Sequence, residues 1–170
     1  MKNKITDAAT RVLLRDGLQG WSIDLVAAEA GCAKGLVHYH HGSKKVLLST
    51  VAAQLERERQ AHRLDALSAS GAEALDRLWR VIEREVGTGA WAAWASLVAE
   101  PGITLPAADA VETTALGSAI GRALDLPAVG ADDARLAAAA LDGFQLALAR
   151  GVPSEAVQEA FHRLWLALLG

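Results

Sequence analysis

A single cysteine, Cys32, occurs in 170 residues, so no intramolecular disulfide is available and nothing points to an oxidising compartment. Aromatic residues are scarce at 5%, prolines number only 4, and runs of Val, Ile and Thr are few, all of which disfavours a sandwich or barrel. The longest uncharged stretch, Val86 to Ala99, has 14 residues, short of the roughly 18 that a membrane-spanning helix needs. Charges cut through the first residues, MKNKITDAATRVLLRDG, so no signal peptide is expected. What remains is a soluble, cytoplasmic protein.

Two residue types dominate what is present. The 36 Ala and 25 Leu supply over a third of the chain, and both are strong helix formers, so the fold class expected is all-α. The net charge of −3 conceals an asymmetry. Residues 1–63 hold 10 Lys/Arg against 6 Asp/Glu, a net of +4; residues 64–170 hold 7 against 14, a net of −7. All five lysines lie within the first 45 positions. A basic front on an acidic body suggests a polyanion-binding module joined to a second functional part.

Helical spacing begins at once, with Ile5, Ala9, Val12 and Leu13 on one face and Gly17 as a stop. Ser22 is a good N-cap for a second helix, whose Ile23, Val26, Ala27 and Ala30 fall at i, i+3, i+4 and i+7 before Gly31 ends it. A third helix is read from Ala33 to Tyr39, and Ser43 caps a long fourth one from Lys44 to about Leu67. Two short helices joined by a Gly-containing turn form the helix-turn-helix pattern. Further helices are read over Ala72–Val86, Ala90–Glu100, Leu105–Leu124, Asp132–Arg150 and Pro153–Leu169, about nine in all. Only Gly151–Val152 separates the last two, which forces them antiparallel and adjacent.

The stretch Gly17–Leu48 resembles the DNA-binding region of the TetR family of bacterial transcriptional regulators. Matching positions are Gly17, Ser22–Ile23, Val26–Ala27, Ala30–Gly31, Gly35, His40 and Ser43–Lys44, with Leu47–Leu48 behind them; Ile5 and Ala8–Ala9 fit as well. The likeness covers about residues 5–48. The chain departs from the pattern at Ala33, where the family usually has a capping Ser; at His38 and His41, where it has aromatics; and at Lys45, where it has an acid. Cys32 stands where the family has Val and reads as a small buried hydrophobe. The resemblance implies a three-helix DNA-binding domain over 1–48 and a helical ligand-binding and dimerisation domain over 49–170.

The residues carry a physical reading of their own. Cations oppose the macrodipole at a helix N-terminus, yet Lys34 opens the third helix and Lys44 and Lys45 open the fourth. Free backbone N–H groups plus lysines suit an anion, and a DNA phosphate is the obvious one. Gly35 would let the recognition helix approach the groove, where Leu36, His38 and Tyr39 would meet base edges or backbone. Ser22, Ser43, Lys2 and Lys4 complete the expected contact set.

Other chemistry finds little support. Cys32 with His38, His40 and His41 lacks the ligand number and spacing of a zinc site, and Glu159-x-x-His162 occurs once where a di-iron bundle needs two copies and further carboxylates. No phosphate-binding Gly-Lys-Ser/Thr run and no Gly-x-Ser-x-Gly is present, so no metal, no cofactor and no catalysis are expected. In the body, Leu136, Ala140, Gly143, Phe144 and Ala147 share one face of the penultimate helix. Val157, Phe161, Leu164, Trp165 and Leu168 line the last. These faces could close one subunit's core or meet a second copy; TetR-like proteins dimerise through such a pair, which favours a homodimer seam. Trp79, Trp91 and Trp94 among small residues are candidates for lining a pocket for an apolar effector. The expectation is a homodimeric repressor released from palindromic double-stranded DNA by a small molecule. The alternatives are an effector-independent DNA-binding protein and a small helical enzyme or carrier.

Overall fold

The computed structural model describes residues 1–104, 110–126 and 129–169. Among the described residues it has nine helices and no strand: α1 (Lys2–Gly20), α2 (Ile23–Ala30), α3 (Lys34–His41), α4 (Lys44–Ala66), α5 (Gly71–Gly87), α6 (Ala90–Val98), α7 (Ala110–Leu124), α8 (Ala131–Ala149) and α9 (Ser154–Leu169). No described helix is long and apolar enough to cross a membrane. Residues 105–109, where the sequence suggested the start of the seventh helix, lie outside the described residues.

The chain forms two compact units. The first comprises Met1–Glu58 and Gly89–Pro106. Its core takes Ile5, Ala9, Val12 and Leu13 from α1, Ile23, Val26 and Ala30 from α2, and Val37 from α3. Leu47, Leu48, Val51 and Leu55 of α4 and Ala93 and Leu97 of α6 complete it. Gly17 interrupts α1 with φ 67°, a left-handed conformation that side chains resist, so the helix proper stops where the sequence suggested. Trp21 follows, 2% exposed, its indole N–H donating to the Ala9 carbonyl at 3.0 Å. One buried ring thereby fixes the chain's entry into α2.

The second unit comprises Arg59–Thr88 and Ala107–Gly170. Its apolar core joins Leu78, Trp79 and Ile82 of α5, Leu116 and Ile120 of α7, Leu141 of α8, and Val157, Phe161 and Trp165 of α9. Phe161 sits at the centre, with ring centroids of Trp79, Phe144 and Trp165 at 5.4, 5.7 and 5.8 Å. Beside this core lies a buried polar cluster. Arg59 Nη2 donates to Asp142 Oδ1 at 2.6 Å and to Gln145 Oε1 at 2.9 Å, and its Nε lies 3.3 Å from Glu85 Oε2. Arg63 donates to the same Asp142 oxygen at 2.6 Å, and Gln145 Nε2 donates to Glu85 Oε2 at 2.7 Å. Arg59, Arg63, Glu85 and Gln145 are all 3% exposed or less, and the mutual bonding is what makes their burial tolerable.

Candidate nucleic-acid interface

The helix-turn-helix is built by local chemistry. Ser22 Oγ accepts the Leu25 N–H at 3.2 Å and starts α2. At its other end Gly31 adopts φ 62°, while Gly31 N–H bonds Ala28 O and Cys32 N–H bonds Ala27 O, the paired bonds of a Schellman turn. α3 then begins after Ala33, which offers no side-chain cap. Val37 and His41 face the core of the first unit, at 1% and 4% exposed. The opposite face is open. Tyr39 is 82% exposed, His38 is exposed, and beyond its own stretch of helix nothing lies within 4 Å of where a Cβ on Gly35 would stand. Leu36 is half-buried and offers less surface than the other three.

The lysines have neighbours in the protein itself. Lys34 Nζ pairs with Asp24 Oδ2 of α2 at 2.9 Å, both groups exposed. Lys44 Nζ lies 5.4 Å from the Trp21 ring centroid and donates to its carbonyl at 3.4 Å. Lys45 reaches the turn after α6, its Nζ 2.8 Å from where a Cβ on Gly102 would stand. Lys44 is thus engaged within the protein itself, while Lys45 lies beside the turn after α6. Ser43 Oγ accepts the Val46 N–H at 3.2 Å and caps α4 as expected. Lys4 Nζ approaches the Gly31 turn, and Lys2 is exposed at the start of α1.

His41 faces the core of the module, as its place behind Val37 on the helix suggests, and His40 is half-buried. Among the described residues the His41 ring nitrogens have no hydrogen-bond partner, and burial, assisted by the charges of Lys2 and His40, holds the imidazole below its ordinary range; the nearby Lys2 backbone offsets only part of this. His38 is unlike it: its Nδ1 lies 3.3 Å from the Gly42 carbonyl, and the ring is exposed. Across α1 and α2, Glu29 receives Arg11 at 2.7 Å and Arg15 at 3.0 Å, and these hydrogen bonds hold its carboxyl below the usual range.

The remaining candidates separate. Trp91 and Trp94 belong to α6 in the first unit, whereas Trp79 is 4% exposed and packed on Phe161 in the second. The clefts described within each unit are lined by other side chains. Among the closing-helix residues, Val157, Phe161 and Trp165 are corrected from seam to core: at 4%, 0% and 0% exposed they have no area left for a partner. Leu164 is half-buried, and the side chain of Leu168 lies outside the described residues. On α8 the inward face is Ala134, Ala137, Leu141 and Gln145, so Leu136, Ala140, Gly143, Phe144 and Ala147 keep exposed or half-exposed surface. Glu159 pairs with Arg163 at 2.6 Å.

A family model, bacterial regulatory proteins of the tetR family, matches residues 5–51, the segment that holds α1 to α3 and the start of α4. The N-terminal module is that of a TetR-family regulator. The likeness in fold runs further than the module. The multidrug binding protein EbrR complexed with imidazole is 28% identical with a TM-score of 0.68, covering 96% of this chain and 93% of that one. Its complex with ethidium gives 26% and 0.69 over 96% and 97%. A member of the TetR family from Streptomyces coelicolor A3 gives 26% and 0.60 over 95% and 96%. No curated protein sequence matches the chain. With a TetR module at its front and a fold similar to that of EbrR throughout, the chain is built as TetR-family transcriptional regulators are.

Its departures from the TetR pattern now have structural content. Ala33 leaves the start of α3 without a side-chain cap, worth about 1 kcal/mol in comparable helices. His41 occupies a core position that the family pattern fills with an aromatic ring. Lys45, in place of the usual acid, lies beside Gly102 in the turn after α6. Trp21 and Asp24 were missed as partners of the lysines; the only local signal was a tryptophan placed directly before a helix cap.

Proposed function

We propose that this TetR-type regulator binds palindromic double-stranded DNA as a homodimer, reading each half-site with the open face of α3. One such helix covers few base pairs, and two copies related by a two-fold axis supply the length a specific site requires. The carrying observation is the sidedness of α3: Val37 and His41 are buried while Gly35, His38 and Tyr39 stand open. In this reading residues 1–48 read DNA and 49–170 dimerise and sense. The exposed α8 stripe of Leu136, Ala140, Gly143 and Ala147 supplies the seam, its small residues permitting close helix approach. The protein acts in the cytoplasm as a repressor and not as an enzyme. Selection from a random duplex pool should enrich a two-fold symmetric sequence; an asymmetric sequence, or no enrichment, would overturn the reading.

A small molecule would release the DNA by preferring the DNA-incompatible conformation. EbrR is a multidrug binding protein with structures holding ethidium and malachite green, which supports a large, aromatic, largely apolar effector here as well. Ethidium should raise the melting temperature of the DNA-free protein. A second reading, DNA binding without an effector, is favoured by the packing of Trp79 against Phe161, which leaves that ring no free face in a cavity. Under that reading no dye shifts the melting curve.

A further inference from the structure

We propose that the cleft between α4 and α5 in the second unit binds a small polyanion, a molecule carrying two carboxylate or phosphate groups. The cleft has a volume of about 340 Å³ and is lined by His62, Asp65 and Ala66 of α4 and Arg77, Arg80, Val81 and Arg84 of α5. That size lies at the lower end of small-molecule sites.

The arginines recur at i, i+3 and i+7, so all three project from one face of α5. Arg77 is held by Glu73 at 2.7 Å. Arg80 and Arg84, one helical turn apart, have no ion pair among the described residues, and the facing helix answers with a single carboxylate, Asp65. Two like charges at that spacing repel one another, and an anion lying between them removes the repulsion. Guanidinium groups present paired N–H donors that match carboxylate and phosphate oxygens. Ala66 and Val81, at 2% and 6% exposed, form an apolar floor, so the ligand's acidic groups belong at the arginine rim and its carbon skeleton below.

The cleft also borders the buried cluster. His62 lines it, and His62 Nδ1 lies 3.5 Å from Glu85 Oε1, a buried oxygen with no hydrogen-bond partner among the described residues. Glu85 is in turn bonded to Arg59 and Gln145. A ligand that repositions His62 therefore acts on the bonds joining α4, α5 and α8. This site is separate from the aromatic effector and does not depend on it.

The test is calorimetric titration of the full chain with citrate and, separately, inorganic pyrophosphate, at constant ionic strength set by sodium chloride. At least one probe should bind saturably, and the stronger of the two tells carboxylate from phosphate chemistry. The Arg80→Gln/Arg84→Gln variant changes exposed residues only; it should melt as the parent does without probe and bind the probe about tenfold or more weakly. Equal binding by parent and variant, or no saturable heat with either probe, overturns the proposal. So does a variant that loses duplex-DNA affinity while probe binding is unchanged, because the arginines would then serve a nucleic-acid backbone.

Discussion

The Lys44 ammonium sits 5.4 Å from the centroid of the Trp21 ring and donates to the Trp21 carbonyl at 3.4 Å. The tryptophan is itself pinned to Ala9, so the first turn of α4 is tied to the loop that enters the helix-turn-helix. A phosphate at this helix start would compete with Trp21 for the same cation. Lys44→Ala should weaken binding to all duplexes alike and flatten the dependence of affinity on salt by about one unit of slope. Fluorescence anisotropy at several salt concentrations measures it, and an unchanged slope would remove Lys44 from the phosphate contacts.

His41 makes the reading module sensitive to acid. Its folded-state proton affinity lies below the ordinary value of 6.5, so the unfolded chain takes up a proton that the folded chain refuses. The stability this provides is fully present above about pH 6.5 and declines as the pH falls below it. His41→Phe should remove that part of the decline, bringing the melting temperature at pH 5.5 closer to that at pH 7.5 than in the parent. If both proteins lose stability in parallel, His41 is not the group responsible.

Gly31 and Gly35 should respond oppositely to the same substitution. Gly31 sits at φ 62°, and Gly31→Ala should cost about 1 kcal/mol through backbone strain alone, lowering the melting temperature by roughly 2–4 °C. Gly35 is helical with open space around it, so Gly35→Ala should leave stability unchanged or raise it by about 0.5 kcal/mol. It should nevertheless weaken operator binding, because the added methyl group stands on the face presented to the groove. Thermal melts paired with DNA titrations separate the two effects.

Arg59 bonds Glu85, Asp142 and Gln145 in the buried cluster. Arg59→Met would leave Glu85 buried without its guanidinium, and losses of this kind run to about 3–5 kcal/mol. Asp142→Ala should cost less, because the Asp142 side chain is 37% exposed and water replaces part of what the arginines lose. Urea denaturation of the two variants should rank them in that order.

The seam reading is tested on α8. Leu136 is 54% exposed, and Leu136→Glu should convert a dimer into a monomer by light scattering at micromolar concentration, with the circular dichroism unchanged. A variant that remains dimeric would place the interface elsewhere.

The module was legible in the sequence because its signals are local. Ser22, Gly31 and Ser43 each act on backbone groups within a few residues, and Gly31 supplies a φ that most side chains resist. The body was legible only as helices. In α8 alanines run round the whole helix, so no contrast marks the inner face, and the residue that completes that face is the polar Gln145. It points inward because of Arg59 and Glu85, 86 and 60 residues away, which no local window contains. The stripe of α9 was real, but burying Phe161 among Trp79, Phe144 and Trp165 turned it toward its own subunit.

The arginine–carboxylate cluster also sets how this unit meets heat. Hydration of ions carries a strongly negative entropy, so water's hold on Arg59, Arg63 and Glu85 weakens on warming and the penalty for keeping them buried shrinks. An all-hydrocarbon interior has no such compensation. The second unit should therefore lose stability more gradually between 25 and 50 °C, on the order of the working range of a mesophilic fold, than a variant in which the cluster is replaced by leucine and methionine of equal volume.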